Sequence, residues 1–441
     1  MTRVSNAEAT LSLTYDPGGG GQPVTCQLSL ISPVAPVRVG EGYLFEYRYS
    51  ISGSANTWGT TRQVTYSGSF SVLVQPDNFA RYALFTNTQK TRSGERVWFT
   101  GQTNFYGPVH TNGQFHFALN PGGTFTSPVT SVSQTALFYN NGSPIALDAD
   151  RNGTRDVPTF QNGFYRGTDP ISMPGATTAD AQRQKALGGI PPPSTDGVYV
   201  QPSTDPTGQP GLGVYVRGNA SLTLSVGVGG EAHYLIRRGS STTELVVAGG
   251  QTTVTTNESG QPVTTTYPMG LNGMLFVDGN VTSLSGTLQR DAQVTVAATG
   301  TVSITNHLTY EVDPQNPPSG VDPNMVLGVL SWNGDVVITT TAPNDLQIHA
   351  IVMAPTGEFR VDRYNRGSPR GTVTLLGGAI QNTYGAFGVF SRSGLQAGYG
   401  RNFVYDQRML QGMDPPFFPT TGLLITTVYG LNDRPTWRSG A

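Results

Sequence analysis

Apolar and polar positions alternate in short runs along most of this chain, and turn residues separate the runs. In Tyr43-Leu44-Phe45-Glu46-Tyr47-Arg48-Tyr49 the odd positions are aromatic, while Glu46 and Arg48 face the other way. That is the period of a strand with one buried face. Further runs at Val24–Ile31, Arg62–Val74 and Arg81–Phe85 predict an antiparallel sheet over residues 1–95, with a hairpin turn at Ser52–Gly59. The start, Thr-Arg-Val-Ser-Asn-Ala-Glu-Ala, suits the last turns of a helix.

From Arg96 the grammar changes. Phe99–Phe117, FTGQTNFYGPVHTNGQFHF, sets short apolar alternations against Tyr106-Gly107-Pro108 and Asn112-Gly113 turns. Strands of about 4–6 residues between such turns predict a coil of stacked rungs. The pattern returns between Val214 and Phe390. Val214-Tyr215-Val216-Arg217-Gly218-Asn219-Ala220 resembles Leu275-Phe276-Val277-Asp278-Gly279-Asn280-Val281, with a polar Asn at each corner. Gln293–Ile304, Val326–Ile338, Leu346–Met353, Gly357–Val361 and Thr372–Ile380 continue in this style without a strict period, which leaves an ordinary sandwich as the alternative. One helix is expected at Thr178–Leu187, stopped by Pro191-Pro192-Pro193, and Gln201–Gly213 and Asp313–Pro323 read as loops. After Pro415-Pro416-Phe417-Phe418-Pro419, Leu423–Tyr429 is a strand placed to return to the first sheet. The expected fold is mainly β: a β-solenoid over 96–411 inserted into an antiparallel β-sheet domain made of 1–95 and 412–441.

Composition sharpens this reading. The 56 Gly and 31 Pro among 441 residues disfavour long helices, and an apolar content of 37% supports real cores. Only 12% of residues are charged, about half the usual share, so hydroxyl and amide groups must wet the surface. A net charge of −2 gives no strong nonspecific attraction to polyanions. Lysine occurs only at Lys90 and Lys185, and every other cation is Arg, whose fork suits phosphate. Lone Cys26 excludes an internal disulfide; a buried thiol is expected, or a bond to another chain. No signal peptide or membrane span is legible, and the secreted-looking composition suggests that a hydrophobic N-terminal segment has been removed.

Three sets of residues carry candidate chemistry. Asp148, Asp150, Asn152, Thr154 (through its carbonyl) and Asp156, with Gly153 at the sharp turn, have the spacing of a loop that wraps Ca²⁺ in a structural role. Thr159 stands where an EF-hand needs Glu, so an isolated calcium loop is expected, or an Asx-turn loop neutralised by Arg151 and Arg155. For DNA, Arg360, Arg363, Arg366 and Arg370 form the densest basic patch, with Tyr364 interleaved; Arg217, Arg237 and Arg238 are further candidates. Arginines on successive rungs would meet phosphates at regular spacing, sequence-independently and with salt sensitivity. Solvated surface arginines paired to nearby carboxylates are the plain alternative.

Catalysis finds no marked constellation. His110, His116, His233, His307 and His349 are scattered, no nucleophile elbow is present, and Gly227-x-Gly229-Gly230 lacks a following helix. Asp278, Asp335 and Arg290 supply the residue types of a polysaccharide lyase without a spacing that unites them.

Taken together, Gly107–Phe117, the Asp-rich Leu147–Asp156 and GRNFVYDQRML…PPFFP at Gly400–Pro419 resemble large type IV minor pilin-like proteins of thermophilic bacteria. The resemblance implies a pilin-type sheet with an inserted β-solenoid, a place at the cell surface near a pilus tip, other pilins as partners, and binding of incoming DNA during natural transformation. It also implies an N-terminal membrane helix, which this chain lacks; without it the chain is not expected to insert in a membrane or join a filament core. A noncatalytic DNA-binding pilin ectodomain is therefore the leading expectation. A carbohydrate-active β-helix and a purely structural adhesin are the alternatives.

Overall fold

A computed structural model describes residues 9–15, 24–31, 34–39, 42–57, 60–100, 103–118, 123–140, 143–144, 157–203, 211–258, 260–391, 394–430 and 436–440. The chain is mainly β and divides into two units: Met1–Asp77 with Gly422–Ala441, and Asn78–Thr421.

The first unit is a seven-stranded sheet ordered Ala9–Tyr15, Val24–Ile31, Gly42–Thr57, Thr60–Asn78 and Thr420–Tyr429, with Val37–Val39 beside the third strand and Thr436–Gly440 beside the fourth. The returning C-terminal chain thus completes the N-terminal sheet. The expected turn at Ser52–Gly59 is tighter than the sequence suggests, because pairing continues to Thr57↔Thr60. Register explains the alternation. Phe45 faces Val72, Tyr47 faces Phe70, and Tyr49 lies opposite Leu30, so one face gathers aromatic and aliphatic side chains. On the other face Glu46, Arg48, Ser50 and Ser52 meet Ser71, Ser69, Ser67 and Thr65. Tyr47 stacks on Phe70 at 5.2 Å, and Tyr49 lies 5.5 Å from Tyr66. Among the described residues, none of this unit's apolar side chains is fully buried. Cys26 is half-buried, on a strand of this sheet.

The second unit starts and ends earlier and later, respectively, than the expected 96–411. Leu84–Thr88 pairs in parallel with Pro369–Thr383 and Val109–Thr111, which places it in the insertion rather than in the first sheet. At the far end, Gln182 donates to the Phe417 carbonyl at 2.9 Å and Thr295 to that of Pro416 at 2.5 Å, tying the Pro-rich segment to the same unit. Its two ends meet: Phe79 N–H bonds the Pro419 carbonyl at 3.1 Å, and Asn78 Nδ2 bonds that of Phe418 at 3.4 Å.

Inside this unit, successive turns of chain stack in parallel register. One ladder runs through Leu212–Arg217, Leu271–Asp278, Gln293–Ala298, Val326–Ser331, Gln347–Ala354 and Pro369–Thr383. A second runs through Ala220–Val226, Val281–Leu288, Val302–Tyr310, Val336–Ile338 and Phe359–Val361. The repeat noted in the sequence is two stacked rungs, with Val214 on Leu275, Val216 on Val277 and Ala220 on Val281. Its corner asparagines form a column. Asn219 Oδ1 accepts from Asn280 N–H at 2.8 Å, and Asn280 Oδ1 accepts from Thr301 N–H at 2.8 Å. Gly218 turns this corner at φ 90°, and a Cβ on Gly279 would come within 2.6 Å of the Gly218 backbone, so both positions require glycine.

From Leu84 to Phe164 the turns are shorter, and three parallel ladders run through them. Leu84, Val109, Val129 and Phe164 share one ladder; Trp98-Phe99, His116-Phe117 and Leu137-Phe138 share a second; Phe105, Phe125 and Phe160 share a third. The interior is a phenylalanine stack: Phe117 to Phe138 is 5.2 Å, Phe125 to Phe160 5.2 Å, and Phe160 to Phe164 5.0 Å. Each such pair adds about 0.5–1.5 kcal/mol beyond area burial. The helix forms at Ala176–Ala186, close to expectation. Gln182 fixes it by accepting from Trp332 Nε1 at 2.9 Å.

Of the expected loop Gln201–Gly213, residues 204–210 lie outside the described residues, and its two ends belong to the antiparallel strands Gly197–Pro202 and Leu212–Arg217; Asp313–Pro323 is an excursion without strands. A five-stranded antiparallel meander, Ala220–Val226, Ala232–Arg238, Ser241–Ala248, Gln251–Glu258 and Gln261–Tyr267, branches from the second ladder.

Candidate nucleic-acid interface

The densest arginine patch grows from the rung Phe359–Val361. Phe359 and Val361 are buried, so alternation turns Arg360 outward, where it meets Asp335 of the adjoining rung. Arg360 Nε donates to Asp335 Oδ2 at 2.8 Å, and Arg92 binds the same carboxylate through both terminal nitrogens. The Glu358 N–H adds a bond to Asp335 Oδ1 at 3.1 Å. Glu358 in turn accepts from Arg92 N–H at 3.1 Å and from Thr383 Oγ1 at 2.8 Å. Burial pushes the Asp335 carboxyl up, but these hydrogen bonds outweigh it and hold the group below its ordinary value; the Arg92 guanidinium is correspondingly raised by its bond to Asp335. Arg360 is therefore part of a buried-carboxylate network, not a free phosphate contact.

After Val361 the chain leaves the ladder as a turn. Arg363 takes a left-handed φ of 49°, and Arg366 N–H closes the turn on the Arg363 carbonyl at 2.9 Å. Both side chains are exposed and, among the described residues, neither guanidinium has a partner; Tyr364 between them is 36% exposed. Arg370 differs. It bonds the Ala342 carbonyl and Asn344 Oδ1, and its guanidinium lies 4.8 Å from the Tyr399 ring centroid. Arg217 bonds the Pro193 carbonyl at 2.9 Å and lies 3.8 Å from Asp196, which also takes Arg238 at 3.1 Å. Arg237 is exposed on another strand, opposite Ser221 and Thr242, with no partner among the described residues. The expected stripe is thus reduced to Arg363 and Arg366 in one turn and Arg237 apart from them. The other four arginines anchor local structure.

Sequence reasoning missed Arg401. It projects from Gly394–Val404, and its guanidinium is 5.0 Å from the Tyr384 ring and 5.7 Å from that of Phe387. No local spacing signals this contact, because the cation comes from a strand and the rings from the separate connection at 384–387.

The calcium candidates Asp148, Asp150, Asn152, Thr154 and Asp156 lie outside the described residues. Among the described residues, no group of three or more His, Cys, Asp or Glu is placed to hold a metal. His110 and His116 sit on different ladders. His110 is buried between Thr130 Oγ1 at 2.7 Å and Asn112 Oδ1 at 2.9 Å, and desolvation lowers its pKa. His349 Nδ1 accepts the Tyr310 N–H at 3.0 Å. The residues of the lyase alternative each have their own partners. Asp278 accepts from Tyr215, whose hydroxyl is pushed up to about 12 by burial and that bond; Asp335 is held by arginines; Arg290 lies 3.7 Å from Asp291. Arg290 lines a cleft of about 550 Å³ with Glu231, Gln289 and the paired glycines Gly229-Gly230 and Gly249-Gly250.

A family model described as Domain of unknown function (DUF4900) matches residues 42–133, a stretch running from the long hairpin of the sheet into the first short turns of the insertion. No curated protein and no solved structure matches the chain. Among the described residues, no helix is long and apolar enough to cross a membrane.

Proposed function

We propose that this chain is a noncatalytic, cell-surface module of a type IV pilus that holds DNA without sequence preference, in line with the pilin resemblance in its sequence. The observation that carries the reading is the turn Arg363–Arg366, where two unpartnered guanidinium groups flank a half-exposed Tyr364. Such a turn offers two phosphate contacts and one ring for stacking. The sheet unit supports the reading in another way. Its apolar face lacks a fully buried side chain among the described residues, as suits a layer that neighbouring pilin subunits cover.

With two or three phosphate contacts, log affinity should fall with log salt at a slope of about −2 to −3 on duplex DNA. Fluorescence anisotropy with a random-sequence duplex across a salt series tests this. The variant Arg363→Gln/Arg366→Gln should flatten the slope by about two and leave melting unchanged. An unaltered slope in the folded variant would remove the turn from the interface. No binding by the native chain at low salt would leave a structural adhesin.

A further inference from the structure

The meander ends on the strand Gln261–Tyr267, which pairs with Gln251–Glu258 on one side. No strand register runs along its other edge among the described residues, and six of its seven residues are exposed, with Val263 at 66%. Exposed strand edges normally carry charges, bulges or prolines that prevent pairing with another chain. This one, Gln-Pro-Val-Thr-Thr-Thr-Tyr, carries no charge and a single proline, Pro262, next to its first residue.

The hairpin fixes which groups face outward. Glu258 and Gln261 form its closing pair, so Gln261, Val263, Thr265 and Tyr267 turn their backbone groups toward the neighbouring strand. Pro262, Thr264 and Thr266 turn theirs away. Pro262 therefore costs the existing ladder no donor, and the free edge presents the N–H groups of Thr264 and Thr266 with the carbonyls of Pro262, Thr264 and Thr266.

We propose that this edge joins the same edge of a second copy of the chain, antiparallel about a two-fold axis at Thr264. Thr264 then exchanges both of its hydrogen bonds with its counterpart, and each Thr266 N–H meets a Pro262 carbonyl. All four outward N–H groups of the pair are satisfied, and the donor that proline lacks falls opposite the Thr266 carbonyl. Side-chain chemistry agrees. Threonine pairs already line the existing seam, with Thr255 and Thr264 hydroxyls 3.0 Å apart and Thr253 and Thr266 3.3 Å apart. The two-fold axis extends that hydroxyl array and brings no like charges together.

Four backbone bonds over one short strand place the association in the weak class, with dimer appearing between about 1 µM and about 1 mM protein. Sedimentation equilibrium of the whole chain reads it directly. Thr264→Asp and Thr264→Lys should each be folded by circular dichroism and monomeric, because each sets two like charges across the axis. An equimolar mixture should recover the dimer. A native chain that stays monomeric over this range would overturn the proposal, as would a Thr264→Asp dimer as strong as the native one. A mixture of the two charged variants that remains monomeric would do the same.

Discussion

The sheet unit and the inserted unit use the same alternation of apolar and polar residues, yet they bury it differently. In the sheet, strands run 16 and 19 residues in the central hairpin and are held by long continuous ladders. Its aromatic face is only half-buried, and its other face is serine-rich. In the insertion many strands run three to nine residues, and winding the chain on itself covers the inward-facing apolar side chains of one turn with the next. Leu84, Phe85, Phe115, Phe117 and Val129 lose all contact with solvent in this way. Short strands thus make the better core here, because each turn of chain supplies the layer that a single sheet lacks.

The largest test of this contrast is truncation of one ring in each unit. Phe117→Ala, which empties the centre of the phenylalanine stack, should cost about 3–5 kcal/mol. Tyr47→Ala, in the half-covered face, should cost about 1 kcal/mol. Chemical denaturation that separates the two units reads both; equal losses would erase the distinction.

Next in size is Asp335→Asn. It removes the charge that Arg92 and Arg360 share and, because both guanidiniums reach solvent, should cost about 2 kcal/mol in the insertion, with no change in the sheet. The Asp335 carboxyl is held below its ordinary value in the folded chain. Its contribution is therefore complete above the unfolded carboxylate range, near pH 4, and is lost as pH falls through the lower folded value. The native chain should lose stability on that acid limb, and the variant should lose less. A parallel acid profile would show that other carboxyls govern it.

Smaller still is the response to calcium. If 148–156 binds Ca²⁺, tenfold excess over Kd should raise the insertion's stability by about 1.4 kcal/mol, and EDTA should reverse the gain. Identical melting with calcium and with EDTA would leave a plain turn-rich loop.

Much of the architecture was legible because it depends on local repetition. The Tyr43–Tyr49 alternation, the Gly-Asn corners at Asn219 and Asn280, the helix near Thr178–Leu187 and the returning strand at Leu423–Tyr429 are all written in neighbouring residues. The boundary at Asp77 was not, since Leu84–Thr88 reads like any strand until its partners are known. The candidate site was less legible. Arg360 and Arg363 look alike in the sequence, but one faces a carboxylate brought from Asp335 and the other faces solvent. Arg217 and Arg238 share Asp196, a pairing that crosses a hairpin and a separate loop.

By itself the sequence determined the strand period, the corners and the scarcity of charge, because steric preference and side-chain alternation act over a few residues. Only the tertiary structure decided which strands stack, where the insertion begins, and which arginines remain free. Those outcomes depend on contacts between residues far apart in the chain, and in a chain with so few charges one distant carboxylate is enough to take a guanidinium out of use.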